Sequence, residues 1–354
     1  QLPPGEEVFQ LMALERWLAG RQLQATALKN RSKVAYHNLR IGIKKLRYLV
    51  ENFLPEHHQS WGKDLKLTQD LLGEVHDLDV LWDTARSLGV FSTVGQRRRW
   101  QLTIQSERSQ RLDVYRGKML GRSSLWYVWR AMLPEGKELR KAILKKFETW
   151  ASFRDGNWQH IQWVLRSSLA IFDCLVSERL LPLADFEEVA ERDLLTVAAL
   201  SHETAQEDGH SRPKRVVRLF ERLTPPPGWT KNHLLVAGLA ARYHAGAPPS
   251  VAHARFAALS ETAQVVVTKL AGVLRLADAL DTQQDGMPGA ISVAREGNVI
   301  YIFADGFARY SKAAERIAAA RNMLETACGM PVLVRPAEQT PIPAARLASA
   351  SGQA

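Results

Sequence analysis

The 354-residue sequence predicts a mainly α-helical protein of two or three domains with a small α/β element near its C-terminal end. Three observations carry this. Apolar residues recur at three- and four-residue steps over long stretches, the spacing of one helix face. No alternating strand pattern of useful length appears before residue 290, and the run GNVIYIFADGF follows it. The chain is also about twice the usual length of a single domain, with an apolar content of 46% that can bury a core in each part.

Taken in order, the spacing predicts helices over Glu7 to Leu28, Ala35 to Phe53, Gln59 to Leu72 and Leu78 to Leu88. Pro55 closes the second, Gly73 sits where a C-terminal cap would, and Gly89 and Gly95 frame a short break. On the second helix, steps of 100° per residue put Leu39, Ile43, Leu46, Val50 and Phe53 on one stripe, the core face. The neighbouring stripe holds His37, Arg40, Lys44, Arg47 and Tyr48, with only Glu51 nearby. Like charges on one helix face repel by a few tenths of a kcal/mol per pair, about 0.2–0.5. A bound anion relieves that repulsion.

The device recurs downstream. Lys63, Lys66 and Asp70 follow i, i+3, i+7 spacing, and after the triplet Arg97, Arg98 and Arg99 come Arg108, Arg111, Tyr115, Lys118 and Arg122 at three- and four-residue steps. Packed as a bundle, these helices would line one groove in which Arg forks and Lys point charges meet phosphate oxygens. A charged stripe opposite an apolar one is also what a solvated amphipathic helix shows. Three such helices together favour the binding reading.

The charge balance points the same way. The net charge of +10 lies wholly in residues 1–150, which hold 26 Lys and Arg against 16 Asp and Glu; the remainder has 21 against 21. One part is therefore expected to handle a polyanion and the other to do something else. Tyr48 and Tyr115 are the only aromatics among these basic stripes, too few for a nucleic-acid stacking surface, so nucleic acid is not the expected partner. No stretch approaches the roughly 20 apolar residues that cross a bilayer, and the first 20 residues lack the order of a signal peptide. A soluble, cytoplasmic protein that does not engage membranes is expected, of unspecified oligomeric state. Cys174 and Cys328 have neither metal-site nor redox spacing and read as buried reduced thiols. The tail 337–354, rich in Pro, Ala and Ser, is expected to be disordered.

The second part sets its histidines differently. His160 opens an apolar helix, His202 and Glu203 end LLTVAALSHE, His210 follows a polar loop, His244 ends AGLAARYH and Asp278 lies in VLRLADALD. Imidazoles and carboxylates at helix ends, gathered by a bundle, can enclose a divalent metal with bound water. His160, His202, Glu203 and Asp278 are the candidate ligands, with His210 and His244 in reserve, a set suited to Mn, Fe, Zn or Mg. Widely separated histidines are also common as core or surface residues.

The strings YHNLRIGIKKLRYLVENFLP and LKLTQDLLGEVHDLDVLWD resemble the CHAD family, helical domains associated with polyphosphate. The resemblance implies that His37, Arg40, Lys44, Arg47 and Lys66 face phosphate, with Gln69 and Asp77 as the second part of the motif. It is closest to the second half of such a domain, and with the start at Gln1 it leads one to expect an absent N-terminal half. The order His, His-acid, Asp is that of the HD metal-dependent phosphohydrolases. Residues of about 140–335 resemble the C-terminal region of the exopolyphosphatase and guanosine pentaphosphate phosphohydrolase family. Two departures stand out: the actin-like catalytic domain of those enzymes has no counterpart here, and Glu203 replaces the usual Asp. Exopolyphosphatase activity by the ordinary mechanism is not expected.

The organisation expected is a CHAD-type helical domain over 1–134, an HD-like helical domain over 138–286, a small α/β element over 287–336 and the tail. The expected function is polyphosphate binding with an exopolyphosphatase-like accessory module. The alternative is a metal-dependent HD-type phosphohydrolase acting on polyphosphate or a phosphorylated nucleotide.

Overall fold

The computed structural model describes residues 5–154, 157–184, 189–204, 213–281, 291–305, 307–308 and 310–336. His210 and the tail 337–354 lie outside these described residues. The chain divides into two compact units, Gln1–Lys146 and Phe147–Ala354.

In the first unit, helices α1 (Glu7–Asn30), α2 (Lys33–Phe53), α3 (Pro55–Ser87) and α4 (Val94–Met119) pack in sequence order, each on the one before. Short α5 (Leu125–Arg130) follows, and α6 (Gly136–Ser152) runs across the division. The joints are tight because their residues suit them. Arg31 ends α1 in the left-handed region at φ 51°, and the Ser32 side chain accepts the Ala35 N–H at the start of α2. Leu54 alone separates α2 from α3, whose first residue is Pro55, where a missing N–H costs nothing.

Leu39, Ile43, Leu46 and Val50 are fully buried, as the stripe on α2 predicts. Phe53 differs. It is 41% exposed at the helix end, past the core, and stacks on Phe9 with ring centroids 4.5 Å apart. The two helices predicted across residues 59–88 are one continuous α3, and Gly73 lies inside it rather than at a cap. A glycine in a helix interior costs only about 1 kcal/mol relative to alanine, and the buried series Leu65, Leu72 and Val75 holds the helix together through it. Tyr115 is also displaced from its expected place. It is core, its hydroxyl donating to Gln24 Oε1 at 2.8 Å, and Trp126 Nε1 donates to the same oxygen. Arg122 lies beyond the end of α4.

The second unit is built around α12 (Glu261–Leu280), buried on almost every side. It packs against α7 (Trp158–Ser177), α8 (Glu191–Ser201) and α10 (Lys231–Tyr243), with α9 (Pro213–Arg222) against α10 and one-turn α11 (Ala254–Ala257) between α10 and α12 in sequence. Lys269, buried on α12, pairs at 2.8 Å with buried Glu191 in the first turn of α8. Strands β1 (Ile291–Glu296) and β2 (Val299–Ala304) form an antiparallel hairpin turned at Gly297, φ 60°. Helices α13 (Lys312–Ala320) and α14 (Asn322–Cys328) then carry the chain to β3 (Val332–Pro336), parallel to β2, in the crossover that parallel strands require. Gly272 lets α14 approach: a Cβ there would lie 2.9 Å from Leu324 N.

The fold is thus mainly α with a small α/β element. No helix among the described residues is long and apolar enough to cross a membrane. Cys174 and Cys328 are free thiols, partly rather than fully buried, and burial pushes the Cys328 thiol up to about 11.

Candidate functional site

The antiparallel packing of α2 on α3 creates a polar seam in the first unit. His37 and His76 face each other across it, Nδ1 to Nδ1 at 3.4 Å. One turn along, Arg40 lies over Gly73, its Nε 3.9 Å from where a Cβ would be. This register sets Lys44 level with Gln69 and Arg47 level with Lys66. Two ladders with the same 3-4-3 spacing therefore run side by side: His37, Arg40, Lys44, Arg47 on α2, and His76, Gly73, Gln69, Lys66 on α3. At about 1.5 Å per residue the seam extends roughly 15 Å.

Two polar atoms in this seam are buried without a partner among the described residues, Arg40 Nε and Gln69 Oε1. Such orphaned groups are costly, on the order of 1–3 kcal/mol each, and mark places where a ligand or water completes the bonding. Lys44 has no carboxylate partner among the described residues and leans over the Tyr48 ring at 5.4 Å. Arg47 is spoken for in part, 3.4 Å from Glu51. Lys63, Lys66 and Lys118 are exposed cations with no ion pair among the described residues.

Two of the expected binding residues are instead neutralised within the fold. Arg108 pairs with buried Asp79 at 3.2 Å, and Arg111 pairs with Glu74 at 3.0 Å and with Glu107. Asp79 also receives Lys33 at 3.9 Å. Asp77 is exposed. The contribution expected from Arg108 and Arg111 of α4 is therefore cancelled, whereas Arg40, Lys44, Lys63, Lys66 and Lys118 keep their charge free of carboxylates among the described residues.

In the second unit, helix ends converge on a buried cluster. His160 stands in the first turn of α7, His202 caps the C-terminus of α8 with Glu203 after it, and Asp278 is in the last turn of α12. His160 Nε2 lies 3.3 Å from His202 Nε2, 3.3 Å from Asp278 Oδ1 and 3.9 Å from Glu203 Oε1. One ligand atom from each of His160, His202 and Glu203 falls within 4.8 Å of the others. His202 Nε2 is 3.9 Å from Asp278 Oδ1. His244, the C-cap of α10, completes the group with its ring 5.0 Å from that of His202.

Each imidazole is oriented by its other nitrogen. His160 Nδ1 donates to buried Asp281 at 2.6 Å. His202 and His244 Nδ1 donate to the carbonyls of Ala199 and Ala241, three residues back, at 2.6 and 2.5 Å. Those are terminal helix carbonyls that have no partner inside the helix. The tautomers so fixed turn Nε2 of His202 inward as a lone pair, as a hydrogen bond from the other ring nitrogen does for metal-binding histidines. Burial holds His202 down at about 3, helped by His244, so it stays neutral. Burial also disfavours a proton on His160, but Asp278 and Asp281, with Glu203, outweigh it and hold the imidazolium up to about 9. Asp278 is depressed to about 2, its burial outweighed by His160, His244 and His202. The donors brought together here, two imidazoles and two carboxylates, are a set that fits a divalent ion.

Residues 3–86 match the family model of the CHAD domain. The match takes in α1, α2 and nearly all of α3, hence both sides of the seam. No curated protein matches the chain.

Sequence reasoning missed three groups. His76 continues the ladder Lys66, Gln69, Gly73 by one more step, so spacing alone could have found it. Asp281 lies three residues after Asp278 and is legible only as the second acid of LADALD. The neutralisation of Arg108 by Asp79 has no local signal, because the two lie on different helices.

Proposed function

We propose that the protein binds inorganic polyphosphate through the CHAD seam of its first unit. The family is associated with polyphosphate binding, and the observation that carries the reading here is the row His37, Arg40 and Lys44, in which the Arg40 Nε is buried and unpaired. Phosphate oxygens would complete its bonding, since guanidinium forks and ammonium groups both suit phosphate. Arg47, Tyr48, Lys63, Lys66 and Lys118 extend the cationic track, while Arg108 and Arg111 serve to hold α3 and α4 together. Competition tests this. Unlabelled polyphosphate is expected to displace labelled polyphosphate at lower phosphate concentration than single-stranded DNA does, because DNA phosphates are further apart and carry bases. Equal displacement by DNA would favour a general nucleic-acid binder.

A second reading concerns the other unit, taken as an HD-like accessory module: a divalent metal held by His160, His202, Glu203 and Asp278. The convergence of His202 Nε2, His160 Nε2 and Asp278 Oδ1 within 3.3–3.9 Å favours it. Mn, Fe, Zn or Mg would suit the donors, and such an ion supplies Lewis acidity toward a phosphoryl oxygen. Asp281 would fix the His160 ring, and His244 would flank the ion. Purified protein analysed for metal content is expected to carry about one ion of this group, and the His202→Ala protein none. A metal-free wild type whose melting temperature no such ion shifts would remove this reading.

A further inference from the structure

The joint between the packed helices α3 and α4 carries apolar side chains that the core does not use. Leu88 and Val94, at its two ends, are 72% and 85% exposed, and Val90 between them is exposed as well. The backbone holds them there, because the joint is a closed turn. Gly89, in the left-handed region at φ 63°, and Val90 donate their N–H groups to the Arg86 and Ala85 carbonyls at 3.3 and 3.4 Å, which ends α3. Thr93 then caps α4 by accepting the Gln96 N–H at 3.1 Å, and the Gln96 side chain accepts the Ser92 N–H at 3.0 Å.

Aromatic rings and cations stand behind this tip. Trp82 lies six residues before Leu88 and Trp100 six residues after Val94, so each is about 9 Å back along its helix. Phe91 bridges them, its ring centroid 5.7 Å from that of Trp82 and 6.0 Å from that of Trp100. Arg86, Arg97, Arg98 and Arg99 occupy the same turns, all exposed and without an ion pair among the described residues. No carboxylate falls between Asp83 and Glu107 in the sequence.

From the tip inward the order is aliphatic, then aromatic and guanidinium. A lipid–water interface is layered in the same way: an apolar element sinks roughly 5–10 Å, rings sit at headgroup level and cations meet anionic headgroups. The turn's N–H groups are already bonded within the chain, so leaving water does not orphan them. Other partners fit less well. A second copy docked face to face would set the guanidinium groups against themselves, and single-stranded nucleic acid would stack on the rings but gain nothing from Leu88, Val90 and Val94.

We propose that the α3–α4 joint seats the protein on an anionic bilayer surface, with Leu88, Val90 and Val94 inserted and Arg86, Arg97, Arg98 and Arg99 paired with lipid headgroups. No helix has to cross the bilayer for this. The inference stands apart from the polyphosphate reading, which uses other residues.

Sedimentation of the full chain with vesicles tests it. Vesicles of equal parts phosphatidylcholine and phosphatidylglycerol are expected to carry the protein down, and pure phosphatidylcholine vesicles far less. Arg97→Ala, Arg98→Ala and Arg99→Ala together should weaken binding about 10²-fold, at about fivefold for each cation near an anionic surface. Leu88→Ser with Val94→Ser keeps the charge and should weaken it about tenfold. Both side chains are exposed, so the melting temperature and polyphosphate affinity of that variant should match the wild type. Binding to neither vesicle overturns the proposal and leaves an acidic protein as the partner of this tip, and equal binding to both removes the part given to the arginines. Binding undiminished in Leu88→Ser with Val94→Ser also overturns it, because diffuse charge then accounts for the attraction. Binding lost in Arg40→Ala with Lys44→Ala but kept in the three-arginine variant would place the headgroups in the seam and overturn it too.

Discussion

Replacing Arg40, Lys44 and Arg47 together with alanine removes three cations from one face of α2, but they do not count equally. Arg40 and Lys44 have no carboxylate partner among the described residues, whereas Arg47 is 3.4 Å from Glu51 and already partly compensated. Each phosphate neutralised on a single-stranded polyanion contributes about 0.7 to the slope of log affinity against log salt. The triple variant should therefore lose between about 1.4 and 2 from that slope, the lower figure if Arg47 spends its charge on Glu51. At fixed salt, two charge-assisted hydrogen bonds of about 1.5–3 kcal/mol each translate into a loss of the order of 10²-fold or more. The comparison protein is Arg97→Ala, Arg98→Ala, Arg99→Ala, which removes equal charge from exposed positions at the start of α4. Anisotropy of labelled long-chain polyphosphate at several salt concentrations gives both quantities. Equal losses of slope and affinity in the two variants would show that the protein attracts the polymer through diffuse charge, and the seam would have no special role.

Three further outcomes follow from single positions. Gly73→Ala adds a methyl only 3.9 Å from Arg40 Nε, an ordinary contact, and should stabilise α3 by up to about 1 kcal/mol in urea unfolding with binding retained, whereas Gly73→Leu should displace Arg40 and weaken polyphosphate binding. Gly272→Ala would put its Cβ 2.9 Å from the Leu324 backbone, so that unit should lose about 1–3 kcal/mol in thermal unfolding; an unchanged melting temperature would mean that α14 can shift away. Asp281→Asn keeps the shape of the His160 partner but removes its charge and should cost about 10- to 100-fold in Mn²⁺ affinity by calorimetry, without changing polyphosphate binding.

The sequence was most informative where structure is local. The core stripe of α2 and the basic stripe beside it follow from helical spacing alone, and four of five predicted core positions are fully buried. Gly73 misled because a glycine after an apolar run is a stop signal on average. In the continuous α3 it lies inside the helix and faces Arg40 of another helix, at a distance that an alanine would also fit. Tyr115 misled for the opposite reason: its spacing matches the basic stripe of α4, yet its hydroxyl is satisfied by Gln24 of α1, 91 residues away in sequence. The cluster of the second unit was legible as a set of residue types at helix ends. Its geometry was not, because the tautomers depend on carbonyls and on Asp281, which only the packed helix ends bring into reach.

The two units handle charge in opposite ways, and this decides what each can bind. In the first, carboxylates are placed to cancel α4: Asp79 takes Lys33 and Arg108, and Glu74 and Glu107 take Arg111. The same carboxylates leave Arg40 and Lys44 alone, so part of the uncompensated field lies along the seam, about 15 Å long. A linear polyanion fits an extended row of cations better than a compact one does, since each added phosphate meets another cation. In the second unit the carboxylates converge instead, with Glu203, Asp278 and Asp281 around one imidazole. A divalent ion at this centre would set two positive charges against the three carboxylates. The seam should thus bind its ligand without metal. Chelator added to the polyphosphate assay tests this: the affinity should be unaffected, and a loss in EDTA would mean that the polymer is held through a metal after all.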